Sequence, residues 1–592
     1  MGLQNSAYRL ASEVFFRIEK MQKTRWKFGK RVPQEDALAL ADSLNISVVL
    51  AELLIQRGVT NFLESKNFFR PTLEDLHDPF LMDGMEEASI RTIEAITCNQ
   101  KIVVYGDYDV DGTCASSLMY MFLKNLGADV EIYIPNRLSE GYGISRDGID
   151  FAKEHNTQLI ISVDCGITAV DEVDYANSLG IDTIICDHHQ PKEKLPEAYA
   201  ILDPLKPGDT YPFKYLAGAG VAFKLARAIG DRVGKKDLAM NYVDLVALAS
   251  AADIVPLTDE NRILVRAGLD MINDNPRPGI AALLQIARMT HGNLSSGQIV
   301  FTIAPRINAV GRLGDAMRAV ALFTSEDHDE AREIASVLES ENLERRKIDE
   351  VTFSYALDMI KDKVDFERDK AIILHGDDWH PGVIGIVASR LVEKYHLPSI
   401  MLTTIDGVAK GSARSIQGFD IYQALEQCKD LLVQFGGHKA AAGLEIEVDK
   451  IDEFRRRFNE VLNTQLSEND IIPEIEIDAE INFSEITAKF IRILDQFAPF
   501  GPGNHRPVFL ARNVRWTNNP RIVGKNHIIG MLKQENSDKV FDAIGFNLGG
   551  IMNEIVDKNK ILMDIVFTID KFYKWDKAFP QLKLKDIRIK ED

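Results

Sequence analysis

Hydrophobic and polar positions alternate along this chain with two different periods, and the changes of period divide it. Over roughly the first 75 residues the spacing is helical, as in LALADSLNISVVLAELLIQRG, and predicts a supporting helical lead-in without chemistry of its own. From about 78 to about 270 short apolar runs at 101–105, 130–134, 159–163 and 181–186 alternate with amphipathic stretches at 115–126, 145–155 and 169–179. Strand, helix and strand in that rhythm predict βαβ units and a parallel sheet flanked by helices. The stretch 316–363 is charged, almost free of Gly and Pro, and apolar at helical spacing, so it predicts one long connecting helix or a coiled-coil dimer seam. A second, smaller α/β unit follows, with a strand at 371–374 and a helix starting after Pro381. From about 467 onward EIEIDAEINF, VFLARNVRW, NHIIGMLKQ and KVFDAIGFNL read as short strands between turns, the pattern of a small β-barrel. The expected division is 1–77, 78–315, 316–366, 367–464 and 465–592.

Several of these apolar runs end in acids or imidazoles, and this gives the pattern a chemical meaning. Residues 105–112 read YGDYDVDG, with Asp107, Asp109 and Asp111 at every second position after a buried run. Carboxylates so close together repel unless a cation offsets them, and hard oxygen ligands suit magnesium or manganese. A solvated acidic turn is the plain alternative. The run at 159–163 ends in Asp164, the run at 181–186 ends in Asp187, His188 and His189, and the helical stretch 243–252 ends in Asp253. Each has an ordinary structural explanation as a cap, surface residue or helix end. In open parallel sheets, however, ligands bind beyond the carboxyl ends of the strands, where such residues can converge.

At 592 residues the chain is too long for one core and implies about three or four domains. With 45% hydrophobic and 27% charged residues, its composition is that of soluble globular domains. The opening MGLQNSAYRLASEVFFRIEK carries charges inside its apolar stretch, so no membrane association is expected. Five cysteines show no paired CxxC spacing, which argues against a zinc knuckle or a disulfide framework and for a reducing, cytoplasmic setting. The net charge of −20 opposes nucleic-acid binding on its face. From 511 to 592, however, 15 Lys and Arg stand against 11 Asp and Glu, a surplus of 4 that leaves the other 510 residues at −24. A basic groove in the last domain is compatible with an acidic whole.

In order and spacing, GDYDVDG, SVDCG, DHH at 187–189 and ASAADIVPL resemble the signature motifs of the DHH phosphoesterase superfamily. APRINAVGRLGDA at 304–316, DDWHPGVIGIVASRL at 377–391, GSARSI at 411–416, FGGHKAAAG at 435–443 and FAPFGPGNHRPVF at 497–509 extend the likeness to nearly the whole chain. They resemble the RecJ family, single-strand-specific exonucleases working from the 5′ end. The resemblance implies an α/β fold class: a parallel-sheet DHH domain, a connecting helix in preference to a coiled coil, a DHH-associated domain and a C-terminal barrel of OB type.

It also implies a site with two divalent ions, manganese or magnesium. Asp111, Asp164, His188 and Asp253 are expected at one ion, Asp109 and the shared Asp164 at the other, with Asp107 of second rank. Related phosphoesterases have a His where this chain has Tyr105, which leaves the second ion's site more open. His189 either orients His188 or touches the scissile phosphate. Arg306, Asn308, Arg312, His380, Arg390, Arg414, Ser415, Gly436, Gly437 and His438 are expected to bind the strand's backbone, helped by small residues and a helix following the glycines. In the barrel, Arg512, Arg515, Arg521, Lys525 and Lys533 offer phosphate contacts, and Trp516 is either a base-stacking platform or core.

The expected function is 5′-to-3′ hydrolysis of single-stranded DNA in repair and recombination. The protein is expected to be a cytoplasmic monomer, with a helicase and a single-strand-binding protein as conceivable partners. The metal motifs also fit a nanoRNase or a cyclic-dinucleotide phosphodiesterase, but those lack the long helix and terminal barrel. A catalytically weak DNA-binding relative is disfavoured because every expected ligand is present.

Overall fold

The structure is a computed structural model that describes residues 24–137, 140–553, 561–574 and 577–590. The first 23 residues of the expected helical lead-in lie outside the described residues. Two compact units emerge: a larger one made of Lys30–Asn342 with Asp478–Asp592, and a smaller one that joins the residues up to Gly29 to Leu343–Ile477.

The first described element is β1 (Arg25–Phe28), a strand of the smaller unit. In the larger unit, the helices Gln34–Leu44, Val48–Gln56 and Phe62–Phe69 come first. The Ser47 and Asn61 side chains cap the second and third by accepting from the N–H groups of Leu50 and Glu64. No single described helix is long and apolar enough to cross a membrane; by length and composition alone, the first two helices pass together as a pair bent by 110°.

Next come β2 (Lys101–Tyr105), β3 (Asp129–Tyr133), β4 (Thr157–Val163), β5 (Asp182–Cys186) and β6 (Ala200–Leu202). They form one sheet in the order β3-β2-β4-β5-β6 with every pair parallel, so the expected fold class holds. Its central strands are buried along nearly their whole length, as helices on both faces require. Only three residues long, β6 has too little pattern to be foreseen.

The expected connecting helix is two helices, Met317–Thr324 and His328–Lys363. The break falls where Asp327 accepts from the N–H groups of Asp329 and Glu330, capping a new helix start. The longer helix buries Ala331, Ala335 and Leu338 in the core of the larger unit, and Ala356 and Ile360 in a core of the smaller one.

The smaller unit holds β7 (Ile372–His375), β8 (Ser399–Ile405), β9 (Val408–Arg414), β10 (Leu432–His438) and β11 (Ala441–Glu447), in the order β10-β11-β9-β8-β7. Only β7 and β8 are parallel. FGGHKAAAG therefore forms an antiparallel hairpin, with Gly436 opposite Gly443 and His438 opposite Ala441. No helix follows the glycines directly, which corrects the expected helix end at that point. β12 (Glu474–Ile477) pairs in parallel with β1.

The last strands are β13 (Ala479–Glu480), β14 (Phe509–Trp516), β15 (Arg521–Val523), β16 (His527–Gln534), β17 (Val540–Gly545), β18 (Met563–Lys574) and β19 (Lys577–Ile589). Their order is β13-β14-β18-β19-β17-β16-β15, and an added β14–β16 pairing closes the sheet on itself. EIEIDAEINF is thus not one strand: β12 belongs to the smaller unit and β13 to the barrel. The Asp478 N–H and carboxylate between them bond Val508. Trp516 is 1% exposed and packs with Phe483, Phe509 and Phe567, which makes it core and removes the base-stacking alternative. Leu50, Leu53 and Leu54 of the lead-in helices complete the same core, each worth roughly 2 kcal/mol relative to exposure.

FAPFGPGNHRPVF ties this barrel to the parallel-sheet domain within the larger unit. The buried Arg262 guanidinium donates to the carbonyls of Phe497 (2.8 Å), Phe68 (3.2 Å) and Gln496 (3.3 Å) and lies 4.0 Å from the centre of the Phe68 ring. Asn504 donates to the Phe497 and Pro499 carbonyls and accepts from Arg57. Arg262→Ala removes the donors to the part-buried Phe68 and Gln496 carbonyls and one of the two to Phe497, along with the contact to the Phe68 ring, and a loss of about 3 kcal/mol is expected. Denaturant unfolding followed by fluorescence checks this; a midpoint equal to that of the unaltered protein would contradict it.

Candidate metal centre

The parallel sheet brings the predicted acids together because β2, β4 and β5 all end on the same side. Asp107 follows β2, Asp164 follows β4, and Asp187 and His188 follow β5. Asp109 is the N-cap of the helix Val110–Asn125 and accepts from the Gly112 N–H at 3.0 Å. Asp111, in the first turn of that helix, accepts from the N–H groups of Gly218 and Ala219, each at 2.7 Å. These two N–H groups open the helix Gly218–Arg232, so a helix terminus holds the carboxylate. Asp253 comes from the C-cap of Val243–Ala252.

Three combinations of side chains offer ligand atoms within 4.8 Å of one another: Asp111, His188 and Asp253; Asp107, Asp109 and Asp164; and Asp164, His188 and His189. Nε2 of His188 lies 3.2 Å from Asp164 Oδ1, 3.7 Å from Asp253 Oδ2 and 3.8 Å from Asp111 Oδ2. Asp107 Oδ1, Asp164 Oδ1 and His188 Nε2 are buried and without a hydrogen-bond partner. Buried polar atoms rarely stay unpaired. Converging oxygens with one imidazole are a donor set that fits Mg²⁺ or Mn²⁺.

The electrostatics agree. Burial, then repulsion from Asp109, holds Asp107 well above the ordinary carboxylate range and lifts Asp111 to about 7. Burial and the surrounding aspartates likewise hold Asp164 and Asp253 well above that range. Burial, with the neighbouring His189, lowers His188 to about 4 and keeps it neutral, the state a metal ligand needs. Asp164 sits at φ 63°, a left-handed conformation that Asp tolerates better than most residues, while its N–H donates to the Cys186 carbonyl.

Several contributors went unforeseen. Asp187, read as a possible turn cap, is the organiser of its loop. It accepts from the N–H groups of Ile167, His188 and His189 and from His189 Nδ1 at 2.7 Å. Although burial opposes it, the His189 bond keeps Asp187 down at about 2, and the same bond overcomes burial to raise His189 to about 9. Its place inside the DHH triplet was the available signal. Gly218 is also essential: a Cβ there would come within 2.6 Å of the Asp164 side chain. Arg137, 5.0 Å from the Tyr108 ring, offsets part of the charge on Asp107. Nothing local in the sequence marked it. The Tyr105 hydroxyl accepts from the Ser145 N–H at 2.9 Å, within the loop that follows β3.

The expected substrate residues differ in placement. Asn308 accepts from the Val110 N–H at 3.2 Å, and a Cβ at Gly311 would lie 2.4 Å from the Tyr108 carbonyl, so the helix Ala304–Leu313, which also carries Arg312, packs against the acidic loop. Arg306 is engaged by Glu339 and the Thr302 carbonyl instead. In the smaller unit, Arg390 pairs with Asp349 at 3.0 Å and lies over Phe353, His380 caps its own helix, and His438 Nδ1 accepts from the Ala440 N–H. Arg414 donates to Ser412 and the Ala413 carbonyl, Ser415 bonds the Phe419 carbonyl, and Gly437 has φ 144° beside Gly436. On the barrel, Arg512 pairs with Glu480 and Asp564 and Lys533 with Asp538, whereas Arg515, Arg521 and Lys525 are exposed.

Comparison with known proteins agrees along the whole chain. The DHH family, N-terminal domain, matches 101–250, the DHHA1 domain matches 368–464, and the RecJ OB domain matches 477–586. The chain is similar to the single-stranded-DNA-specific exonuclease RecJ of Bacillus subtilis (strain 168), with 39% identity over 572 residues, 96% of this chain and 71% of that protein. The Escherichia coli (strain K12) exonuclease of the same name is 35% identical over 79% of this chain and 84% of its own. Among solved structures, RecJ of Thermus thermophilus in complex with Mn²⁺ superposes with a TM-score of 0.82 at 27% identity, covering 96% of this chain and 80% of that one. Its Mg²⁺ complex gives 0.76 at 26% identity, covering 96% and 79%.

Two expectations test the centre. Because the raised carboxylates bind protons in the folded state, their contribution to metal-free stability is complete below about pH 4 and is lost as pH rises through about 7 for Asp111. Stabilisation by Mn²⁺ is therefore expected to be larger at pH 8 than at pH 5, about 2.7 kcal/mol when the ion exceeds its Kd 100-fold. Melting curves with and without Mn²⁺ at the two pH values decide this, and an equal shift at both would refute it. Gly218→Ala is expected to displace Asp164 and to shrink the neutral-pH Mn²⁺ shift by at least half, read in the same melting assay.

Proposed function

The chain belongs to the RecJ family of single-stranded-DNA-specific exonucleases, and from that premise we propose how its own residues hydrolyse phosphodiester bonds. The observation that carries the assignment is the pair of ligand groups on either side of Asp164. Asp111, Asp164, His188 and Asp253 would hold one divalent ion; Asp109 and Asp164 would hold the other, with Asp107 in support. Mn²⁺ or Mg²⁺ fits both. When bound, such a pair supplies an activated water and offsets charge on the phosphoryl and leaving oxygens.

The chain's own groups prepare that chemistry. N–H groups from Gly218 and Ala219 fix Asp111, so the carboxylate need not reorganise during the reaction. The Asp187 carboxylate keeps His189 protonated, which places a cation where a phosphate approaches the cluster. Neutral His188 keeps Nε2 available as a ligand. In the larger unit, Asn308 and Arg312 are the proposed contacts to backbone phosphates. In the smaller unit, His380, Arg414, Ser415, Gly436, Gly437 and His438 are the proposed contacts. Arg306 and Arg390 serve chiefly to brace their helices through Glu339 and Asp349.

Degradation proceeds in the 5′-to-3′ direction, and repair and recombination are its setting. The cytoplasm is the proposed location and a monomer the proposed state; a helicase and a single-strand-binding protein are candidate partners. The expected boundaries at 78, 316, 367 and 465 are kept as functional divisions, except that the residues up to Ile477 go with the smaller unit. A nanoRNase or cyclic-dinucleotide reading is not favoured, because the relatives named as RecJ cover the barrel as well as the metal motifs.

Asp164→Asn keeps a residue that tolerates the left-handed backbone while removing the bridging charge. It is expected to cut turnover of a 5′-labelled single strand with Mn²⁺ by at least about 10³-fold, while binding of the strand changes less than about threefold. Retained turnover would remove Asp164 from its bridging role. In the unaltered protein, release from a 3′-labelled strand only after the 5′ end has been consumed is expected; the reverse order would overturn the polarity.

A further inference from the structure

Beside the acidic cluster stands a tyrosine that has no part in holding the ions. Tyr142 follows β3 in the loop Glu140, Gly141, Tyr142, Gly143. Its hydroxyl lies 3.1 Å from His189 Nε2, 3.2 Å from His189 Nδ1 and 3.4 Å from the Asp164 carbonyl. Because Nδ1 is already bonded to Asp187 at 2.7 Å, Nε2 is the hydroxyl's partner on the ring.

The loop is built to present this side chain. Gly141 and Gly143 flank it at φ 87° and 90°, conformations that side-chain-bearing residues rarely adopt, and neither meets crowding within 4 Å. The loop's ends are fastened. Glu140 accepts from the Asn136 N–H (2.7 Å), the Tyr133 hydroxyl (2.9 Å) and the Ser145 hydroxyl (2.6 Å). The Ser145 N–H donates to the buried Tyr105 hydroxyl. Tyr105 is thus a latch for the loop that carries Tyr142.

We propose that Tyr142 is a catalytic residue, whose hydroxyl, held beside His189 Nε2 and the Asp164 carbonyl, donates to a non-bridging oxygen of the scissile phosphate. In the free protein the hydroxyl lies within hydrogen-bond reach of the His189 ring and of the Asp164 carbonyl, so it can turn from these neighbours to an entering phosphate oxygen. Such donors gain strength as charge grows on the phosphoryl oxygens, so the benefit falls on turnover more than on binding. The hydroxyl donates without losing its proton, and no covalent step is involved. The inference rests on the reading of the acidic centre as the hydrolytic site.

The test is a double-mutant cycle on the full-length protein with Mn²⁺ and a 5′-labelled single strand. Tyr142→Phe is expected to lower kcat roughly 10- to 100-fold, to change KM less than about threefold and to leave the Mn²⁺-induced melting shift intact. Added to His189→Ala, it is expected to cost less than about threefold more, since the hydroxyl depends on the His189 ring for its position. Tyr105→Phe, which keeps the ring but loosens the latch, is expected to reproduce part of the kcat loss. Full activity in Tyr142→Phe, or a loss in the double variant equal to the product of the single losses, overturns the proposal. Asp164→Asn separates the two readings: its retained activity would fault the hydrolytic centre itself, whereas a silent Tyr142→Phe beside an inactive Asp164→Asn faults only the tyrosine.

Discussion

Mutual repulsion among buried carboxylates is the constraint around which this protein is arranged. Asp107, Asp111 and Asp164 are almost fully buried, and Asp253 joins them through His188. Burying like charges together is so costly that they must be protonated, bonded to donors or bridged by a cation. Each remedy is visible. Backbone N–H groups serve Asp111, the Arg137 charge serves Asp107, and Asp164 keeps an oxygen that accepts no hydrogen bond among the described residues. The unserved atoms converge, which is why the cluster reads as a cation site and not as a flaw in the core.

The sheet makes this arrangement possible. In a parallel sheet the carboxyl ends of neighbouring strands emerge side by side, so acids at residues 107, 164 and 187 meet although the chain between them is long. Two helix ends then supply what strands lack. The start of Gly218–Arg232 brings N–H donors to Asp111, and the end of Val243–Ala252 brings another carboxylate. Gly218 is the tightest point, since any side chain there meets Asp164. Asp187 and His189 form the counterweight: one strong pair, with the acid held low and the imidazole held high, fixes the loop beside His188 without adding net charge.

Much of this was legible in the sequence, because local apolar runs ending in Asp or His are properties of contiguous residues. β2 was foreseen residue for residue, and β3, β4 and β5 to within a few residues. What escaped depends on partners distant in the chain. EIEIDAEINF has an uninterrupted alternation, yet Glu474–Ile477 pairs with Arg25–Phe28 while Ala479–Glu480 pairs with Phe509–Leu510. The hairpin in FGGHKAAAG is set by pairing to β9, and small residues alone do not distinguish it from a helix start. Ionic partners were equally hidden: Arg306 was read as a phosphate contact because Glu339, 33 residues away, gave no sign of facing it.

The lead-in helices show how supporting structure shapes function from a distance. Leu50, Leu53 and Leu54 share one core with Phe490, Phe497 and Trp516, so the barrel is closed partly by residues that precede it by more than 400 positions. That core consumes Trp516, whereas Arg515, Arg521 and Lys525 stay exposed, as do Phe546 and Phe579.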